Sequence, residues 1–217
     1  MNSTKIVAIT QPTIDGIPTA DDFIAYAARV SNPSNQMNTE TSERLLKYCI
    51  RNSHWSVFEM VNVVMEVETT RDIARQILRH RSFSFQEFSQ RYADPTEDLG
   101  FVIREARLQD KKNRQNSVIT SDSALMTEWD NRQRFIIDII KQNYDWAIQN
   151  DIAKEQARAV LPEGLTVSRM YMNGTLRSWI HYCELRMSNG TQLEHREVAQ
   201  SAWQNLALYF KFLTDKQ

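Results

Sequence analysis

Between Arg79 and Tyr92 the chain reads RHRSFSFQEFSQRY, and few folded environments accept that mixture. Four bulky rings (Phe83, Phe85, Phe88 and Tyr92) are interleaved with three arginines, one histidine, one glutamate and three serines, without a glycine or a proline. Guanidinium groups this close in sequence repel one another unless water or an anion separates them. Arginine also grips phosphate in a two-pronged geometry that lysine cannot match. Rings between the arginines exclude water and strengthen such contacts. The segment therefore points to a pocket for an anionic, planar ligand. The bland alternative, a solvated basic face beside a helix end, accounts well for Arg71 and Arg75. It accounts poorly for Arg79, His80 and Arg81, which sit among rings with Glu87, Ser89 and Arg91.

The remaining sequence sets the frame around that pocket. At 217 residues the chain can bury a substantial core. Five glycines and five prolines are too few for disorder, repeats or a β-sandwich. Residues 5–10 read as a strand, and Thr19 caps a helix carrying Asp21 and Asp22 in its first turn. A helix over about 41–51 turns Leu45, Tyr48 and Cys49 inward, an irregular stretch covers 53–59, and 61–68 alternates as a buried strand. Residues 93–123 are polar, with a strand-like Phe101-Val102-Ile103 and a mobile-looking 110–116. A long helix over about 122–149 places Trp129, Ile136, Ile140 and Ala147 on one face. Asp151 caps a shorter helix ending at Leu161-Pro162, 165–172 reads as a strand, and Asn173-Gly174 as a turn. Helices over 175–186 and about 192–213 close the chain. Helices dominate with strands scattered between them, which favours an α+β fold.

The helix predicted over 70–80 places Ile73, Ala74, Ile77 and Leu78 on one stripe, with Arg71, Arg75 and Arg79 opposite. Like charges at this spacing cost a few tenths of a kcal/mol per pair. An acidic partner or a bound anion relieves them. The net charge of −1 steers the chain toward neither nucleic acid nor membrane, so any basic site is local. Cys49 and Cys183 form no metal-binding pattern and read as buried thiols of a reducing cytoplasm. No targeting segment or membrane-spanning run is apparent, so a cytoplasmic location is expected. His181 and Glu184, with Glu194 and His195 further on, do not make a paired Glu-x-x-His metal site, and no metal is expected. No dinucleotide-binding fingerprint, P-loop or nucleophile elbow occurs.

The stretch 79–92 resembles the signature RHRxxSxxExSxRY of the flavin-dependent thymidylate synthases, matching at Arg79, His80, Arg81, Ser84, Glu87, Ser89, Arg91 and Tyr92. Other blocks resemble the same family in the same order. They are Ala27 to Ser31, Ser53 to Ser56 with Phe58-Glu59, Gln76, Ala157-Arg158 with Val160-Leu161-Pro162, Arg177 with His181, and Leu185-Arg186. Gln86 stands where the family commonly has Asn, and Thr175 where it often has Asn beside the flavin.

The resemblance implies a helix-rich α+β domain over 1–217 around a small curved, mainly antiparallel sheet. It also implies a homotetramer whose active sites are shared between subunits. The cofactor implied is FAD, with NADPH as reductant, methylenetetrahydrofolate as carbon donor, dUMP as substrate and dTMP as product. Residue by residue, FAD contacts are carried over to Ser31, His54, Ser56, Glu59, Arg79, His80, Arg81, Glu87, Thr175, Arg177 and His181. Those to dUMP fall on Gln76, Arg79, Glu87, Ser89, Gln90, Arg91, Arg158 and Arg186. Catalytic roles fall on Arg186, His54, Ser89 and Arg91, with His54 and Arg81 also near the folate. The alternative expectation is a nucleotide-binding module with the same basic pocket and no catalysis.

Overall fold

The computed structural model describes residues 2–214. Its centre is an antiparallel sheet in the order β1-β2-β6-β3, formed by β1 (Ser3–Ile9), β2 (Asn62–Thr70), β3 (Ser84–Glu87) and β6 (Val167–Thr175). Strand β2 sets the pattern. Val63, Met65 and Val67 are fully buried, while Val64, Glu66 and Glu68 between them stay half-exposed. Strand β6 answers in register, with Met65 opposite Met172 and Val67 opposite Met170. On the wetter face Tyr171 donates to Glu66 at 2.9 Å and Arg169 pairs with Glu68. An antiparallel sheet can leave one face wet in this way.

The dry face is covered by α1 (Ala20–Ala28), α2 (Ser42–Arg51), α7 (Leu176–Arg186) and α8 (Leu193–Tyr209). Ile24, Leu46, Trp179, Ile180, Val198 and Leu206 are fully buried there. A buried side chain of this size contributes about 1.5–3 kcal/mol. The Trp179 indole N–H donates to the Val63 carbonyl at 2.9 Å, which ties α7 to β2 and leaves no orphaned donor. Thr19 caps α1 by accepting from the Asp22 N–H, Asp122 caps α5 (Ser123–Gln149), and Thr175 caps α7.

Several local expectations give way to longer-range forces. In α2 the buried apolar residues are Leu46, Cys49 and Ile50, with Leu45 half-buried and Tyr48 exposed. Helix α3 (Arg71–Ile77) stops well before Arg79, because the chain must turn to lay β3 along β6. Arg71 is buried rather than solvated, since Glu87 and Glu163 meet it there. Residues 93–123 carry more order than their polarity suggests. They hold α4 (Pro95–Asp98), a bridge from Phe101 to Thr166, and a hairpin of β4 (Arg107–Gln109) and β5 (Ser117–Ile119). Within the connection 110–116, the Asp110 carboxylate accepts from the backbone N–H groups of Lys112 and Asn113 at 2.7 and 3.1 Å.

Helix α5 buries Gln133, Ile137, Tyr144 and Ala147, whereas Trp129 and Ile136 are exposed. The Gln133 amide fixes this rotation by exchanging hydrogen bonds of 2.9 and 2.8 Å with the backbone N–H and C=O of Arg104. Asp151 does not cap the next helix, α6 (Lys154–Ala157). It ends α5 with a positive φ of 58°, while the Ile152 N–H returns to the Ala147 carbonyl and the Asp151 N–H to that of Ile148. This is the double closure usually made around a glycine. At the far end α8 stops at Tyr209, and a 3-10 turn over Lys211–Leu213 follows.

Asn173-Gly174 is not a turn. Both residues continue β6 opposite Val64 and Val63. The glycine is required by close approach: an added Cβ would lie 2.4 Å from Cδ1 of the buried Phe83 ring. Gly174→Ala should therefore destabilise the chain by about 1–3 kcal/mol, read as a fall in the midpoint of thermal unfolding. Gly164→Ala, where the added atom meets nothing within 4 Å, should leave that midpoint nearly unchanged.

Candidate active site

The expected site residues gather in three clusters rather than one. The first surrounds the start of α7. Arg177 pairs with Glu59, the His181 ring meets Trp55 edge-on at 4.6 Å, and His54 meets Tyr48 at 5.8 Å. Glu59, Ser56 and His54 are exposed there, and the Thr175 hydroxyl is occupied as helix cap, accepting from the Ser178 N–H at 3.2 Å. Ser31 lies exposed just beyond α1.

A second cluster surrounds the end of the same helix, nine residues on, which is about 13 Å along its axis. The Arg186 Nε–H donates to His80 Nε2 at 2.9 Å. Nε2 is thus the bare nitrogen and the His80 proton resides on Nδ1. Burial and the Arg186 charge push the His80 pKa down to about 4, so the ring is neutral near pH 7. Beside it stand Tyr182, His195 and Gln76. Arg79 and Arg81 flank His80 in the chain, both exposed, and among the described residues neither makes an ion pair. Arg79, Arg81 and Arg186 thus carry positive charge without a carboxylate partner among the described residues, which raises the local potential at this end of α7.

The third cluster lies where β3 leaves the sheet. Glu87 is enclosed by two cations, Arg71 at 3.6 Å and Arg75 at 3.2 Å, and by the Ser168 hydroxyl donating at 2.8 Å. Glu163 meets the same two arginines at 3.5 and 3.4 Å. The like-charged helix pair is relieved by carboxylates distant in sequence. Beyond Glu87, the Arg91 N–H donates to Ser89 Oγ at 3.4 Å. Arg91 lies 3.6 Å from the Glu155 carboxylate and Arg158 donates to the Glu155 carbonyl. Arg91 and Arg158 are thus both anchored on Glu155, one through its carboxylate and one through its backbone. Gln90 is buried with its Nε2 unpartnered, an amide donor without an acceptor of its own chain.

Sequence reasoning passed over Tyr182 and treated His195 only as a possible metal ligand. Neither stands in a recognisable motif, and only the packing of α8 on α7 brings them to Gln76. No group of three or more His, Cys, Asp or Glu side chains able to hold a metal occurs among the described residues. Cys49 and Cys183 are buried, and burial pushes both thiols above their ordinary pKa, so neither supplies a thiolate near neutral pH. No helix among the described residues is long and apolar enough to cross a membrane.

Residues 13–210 match the family described as "Thymidylate synthase complementing protein". A probable flavin-dependent thymidylate synthase of Paramecium bursaria Chlorella virus 1 is 50% identical over 199 residues, 92% of this chain and 91% of that protein. A flavin-dependent thymidylate synthase of Synechocystis sp. is 49% identical over 201 residues, covering 91% of each. In fold, the chain is similar to a UMP/dUMP methylase of Streptomyces cacaoi bound with 5-Br dUMP, with a TM-score of 0.78, 22% identity, and 98% and 93% of the two chains covered.

The neutral His80 has a consequence for stability. Its folded pKa of about 4 and that of His195, about 3, lie below the ordinary 6.5. Between those values the unfolded chain binds protons that the folded chain does not, so stability is full above pH 6.5 and is lost as pH falls toward 4. The urea midpoint should drop between pH 7 and pH 5, and His80→Gln should shrink that drop. An unchanged pH dependence in the variant would contradict the neutral assignment.

Proposed function

The chain belongs to the thymidylate synthase complementing protein family, and on that premise we propose that its three clusters build the site of a flavin-dependent thymidylate synthase. The reaction converts dUMP to dTMP, with methylenetetrahydrofolate as carbon donor, FAD as cofactor and NADPH as reductant. The observation that carries this reading is the set Arg79, Arg81 and Arg186 around a neutral histidine, none of them in an ion pair among the described residues, while Arg71 and Arg75 nearby are paired with Glu87 and Glu163.

This donor set fits FAD. Its pyrophosphate calls for cations without carboxylates, which Arg79 and Arg81 provide, while Ser31, His54, Ser56, Glu59, Thr175, Arg177 and His181 offer polar contacts around the start of α7. When bound, the flavin supplies the hydride that completes the methyl group, chemistry no side chain performs. Ser89, Arg91 and Arg158 hold the nucleotide phosphate, with the Gln90 amide donor beside them. Glu87 is fixed by Arg71 and Arg75 and keeps lone-pair capacity for a sugar hydroxyl. Gln76 reads the base. Arg186 stabilises negative charge on the uracil carbonyl as C5 becomes nucleophilic, an oxyanion-type contribution. His54 and Arg81 flank the folate. The alternative route through a cysteine nucleophile has no support, because both thiols are buried and protonated.

A single domain over 1–217 acting as a homotetramer is part of the proposal. The clusters at the two ends of α7 and that beyond β3 are too dispersed for one chain to enclose a ligand. Leu125, Trp129, Phe135, Ile136, Ile139 and Trp146 also leave an apolar flank on α5 that a solvated helix does not carry. Partner subunits would cover that flank and complete each site.

Purified protein should be yellow, bleach on addition of NADPH, and form dTMP from dUMP and methylenetetrahydrofolate. Uptake of dUMP by a protein that never binds FAD would favour the non-catalytic module instead. Arg186→Ala and Arg91→Ala should each lower turnover roughly 100-fold or more while thermal unfolding stays cooperative. Near-normal rates in both would refute the assignment. Phe135→Glu on the exposed α5 flank should shift the sedimenting species to smaller assemblies and reduce activity with it.

A further inference from the structure

We propose that His195, held by Tyr182, locks the Gln76 side-chain amide in the one orientation that distinguishes uracil from cytosine, making His195 a positioning residue for substrate selection. This rests on the reading of Gln76 as the base contact, and it concerns residues for which that reading has no role.

Five side chains form a line of hydrogen bonds from the core to the rim of a cavity of about 630 Å³ that Arg107 and Gln192 help to line. Glu194 stands near the outer end, with one carboxylate oxygen held by Arg107. A carboxylate only accepts, so the group Gln192 presents to its other oxygen, at 2.9 Å, is the Nε2 amide donor. Gln192 Oε1 is then left facing Gln76, whose Nε2 donates to it at 2.9 Å. Gln76 Oε1 therefore points at His195 Nδ1, 3.3 Å away, and that nitrogen must carry the proton. Nε2 of His195 is the bare one and accepts from the Tyr182 hydroxyl at 3.1 Å. Every polarity follows from the single fixed carboxylate.

The inner end cannot rearrange. His195 is completely buried and Tyr182 is 2% exposed. The buried Tyr182 O–H makes its one hydrogen bond among the described residues to His195 Nε2, so the opposite tautomer, with Nε2 protonated, would leave that hydroxyl proton without an acceptor. Turning the Gln76 amide over would set its NH2 against the His195 N–H and its carbonyl against that of Gln192, two repulsive contacts in place of two hydrogen bonds. Once locked, Gln76 retains one N–H and one lone pair for a ligand. Uracil offers the complement, a carbonyl beside the N3–H. Cytosine offers the reverse, a bare N3 beside an amino group, which a freely turning amide would accommodate by flipping.

The test measures dUMP and dCMP affinity of the flavin-loaded protein, with dUMP turnover in parallel. His195→Leu should weaken dUMP binding about tenfold, raise KM more than it lowers kcat, and narrow the preference for dUMP over dCMP. Tyr182→Phe, which removes a single oxygen and is the safer variant for folding, should act in the same direction with smaller size. In a Gln76→Ala background, His195→Leu should change dUMP affinity less than twofold. Equal losses in both backgrounds, or an unchanged dUMP-to-dCMP ratio, would overturn the inference while leaving Gln76 as the base contact. Unaltered dUMP affinity in Gln76→Ala alone would remove the underlying reading and the inference with it.

Discussion

The Glu87 carboxylate decides how positive charge is distributed in this chain. It binds Arg71 and Arg75 on one side and the Ser168 hydroxyl on the other, fastening the edge strand β3 to α3 and to the sheet. With Glu163 it neutralises two arginines that would otherwise repel each other along the helix. The cations of this region then fall into two kinds. Those on the helix are balanced by protein carboxylates and hold structure. Those after the helix, Arg79 and Arg81, are not, and Arg186 has only a neutral imidazole beside it. Charge left without a protein partner raises the local potential and attracts anions, which is the basis for the proposed ligand contacts here.

Helix α7 connects the chemistry at its two ends. Its first turn carries Arg177 and its last carries Arg186, where the helix dipole favours a cation. Trp179, Ile180, Tyr182 and Cys183 between them are buried and leave the rod little freedom to move. Arg177 and Arg186 are therefore held at a fixed separation by a rigid element rather than by loops, which is what the proposed flavin and base contacts require. Burial also sets the protonation of groups around it: His80 and His195 stay neutral and the Cys183 thiol stays protonated.

What the sequence disclosed depended on whether the deciding contact was local. Strand β2 and the cap at Thr19 follow from neighbours a few residues away, and they appear as expected. The 79–92 motif was readable because its charges and rings lie side by side in the chain. Asn173-Gly174 misleads because its local preference for turning is outweighed by ladder pairing with β2 and by a ring from residue 83. Arg71 looks solvated until Glu163, 92 residues away, is placed beside it. The rotation of α5 is set by Gln133 gripping the backbone at Arg104, which no apolar periodicity records. Tyr182 and His195 were missed for the same reason, since they join Gln76 only through the packing of α8.

The contact of Phe83 with Gly174 also constrains how this sequence can change over time. A side chain at position 174 has no room while the ring is present, and loss of the ring opens a void against Trp179 and Tyr182. Either step alone costs stability, so neither position is free to change without the other. The two sites should consequently vary together among lineages, and a glycine here is a record of the neighbour it accommodates.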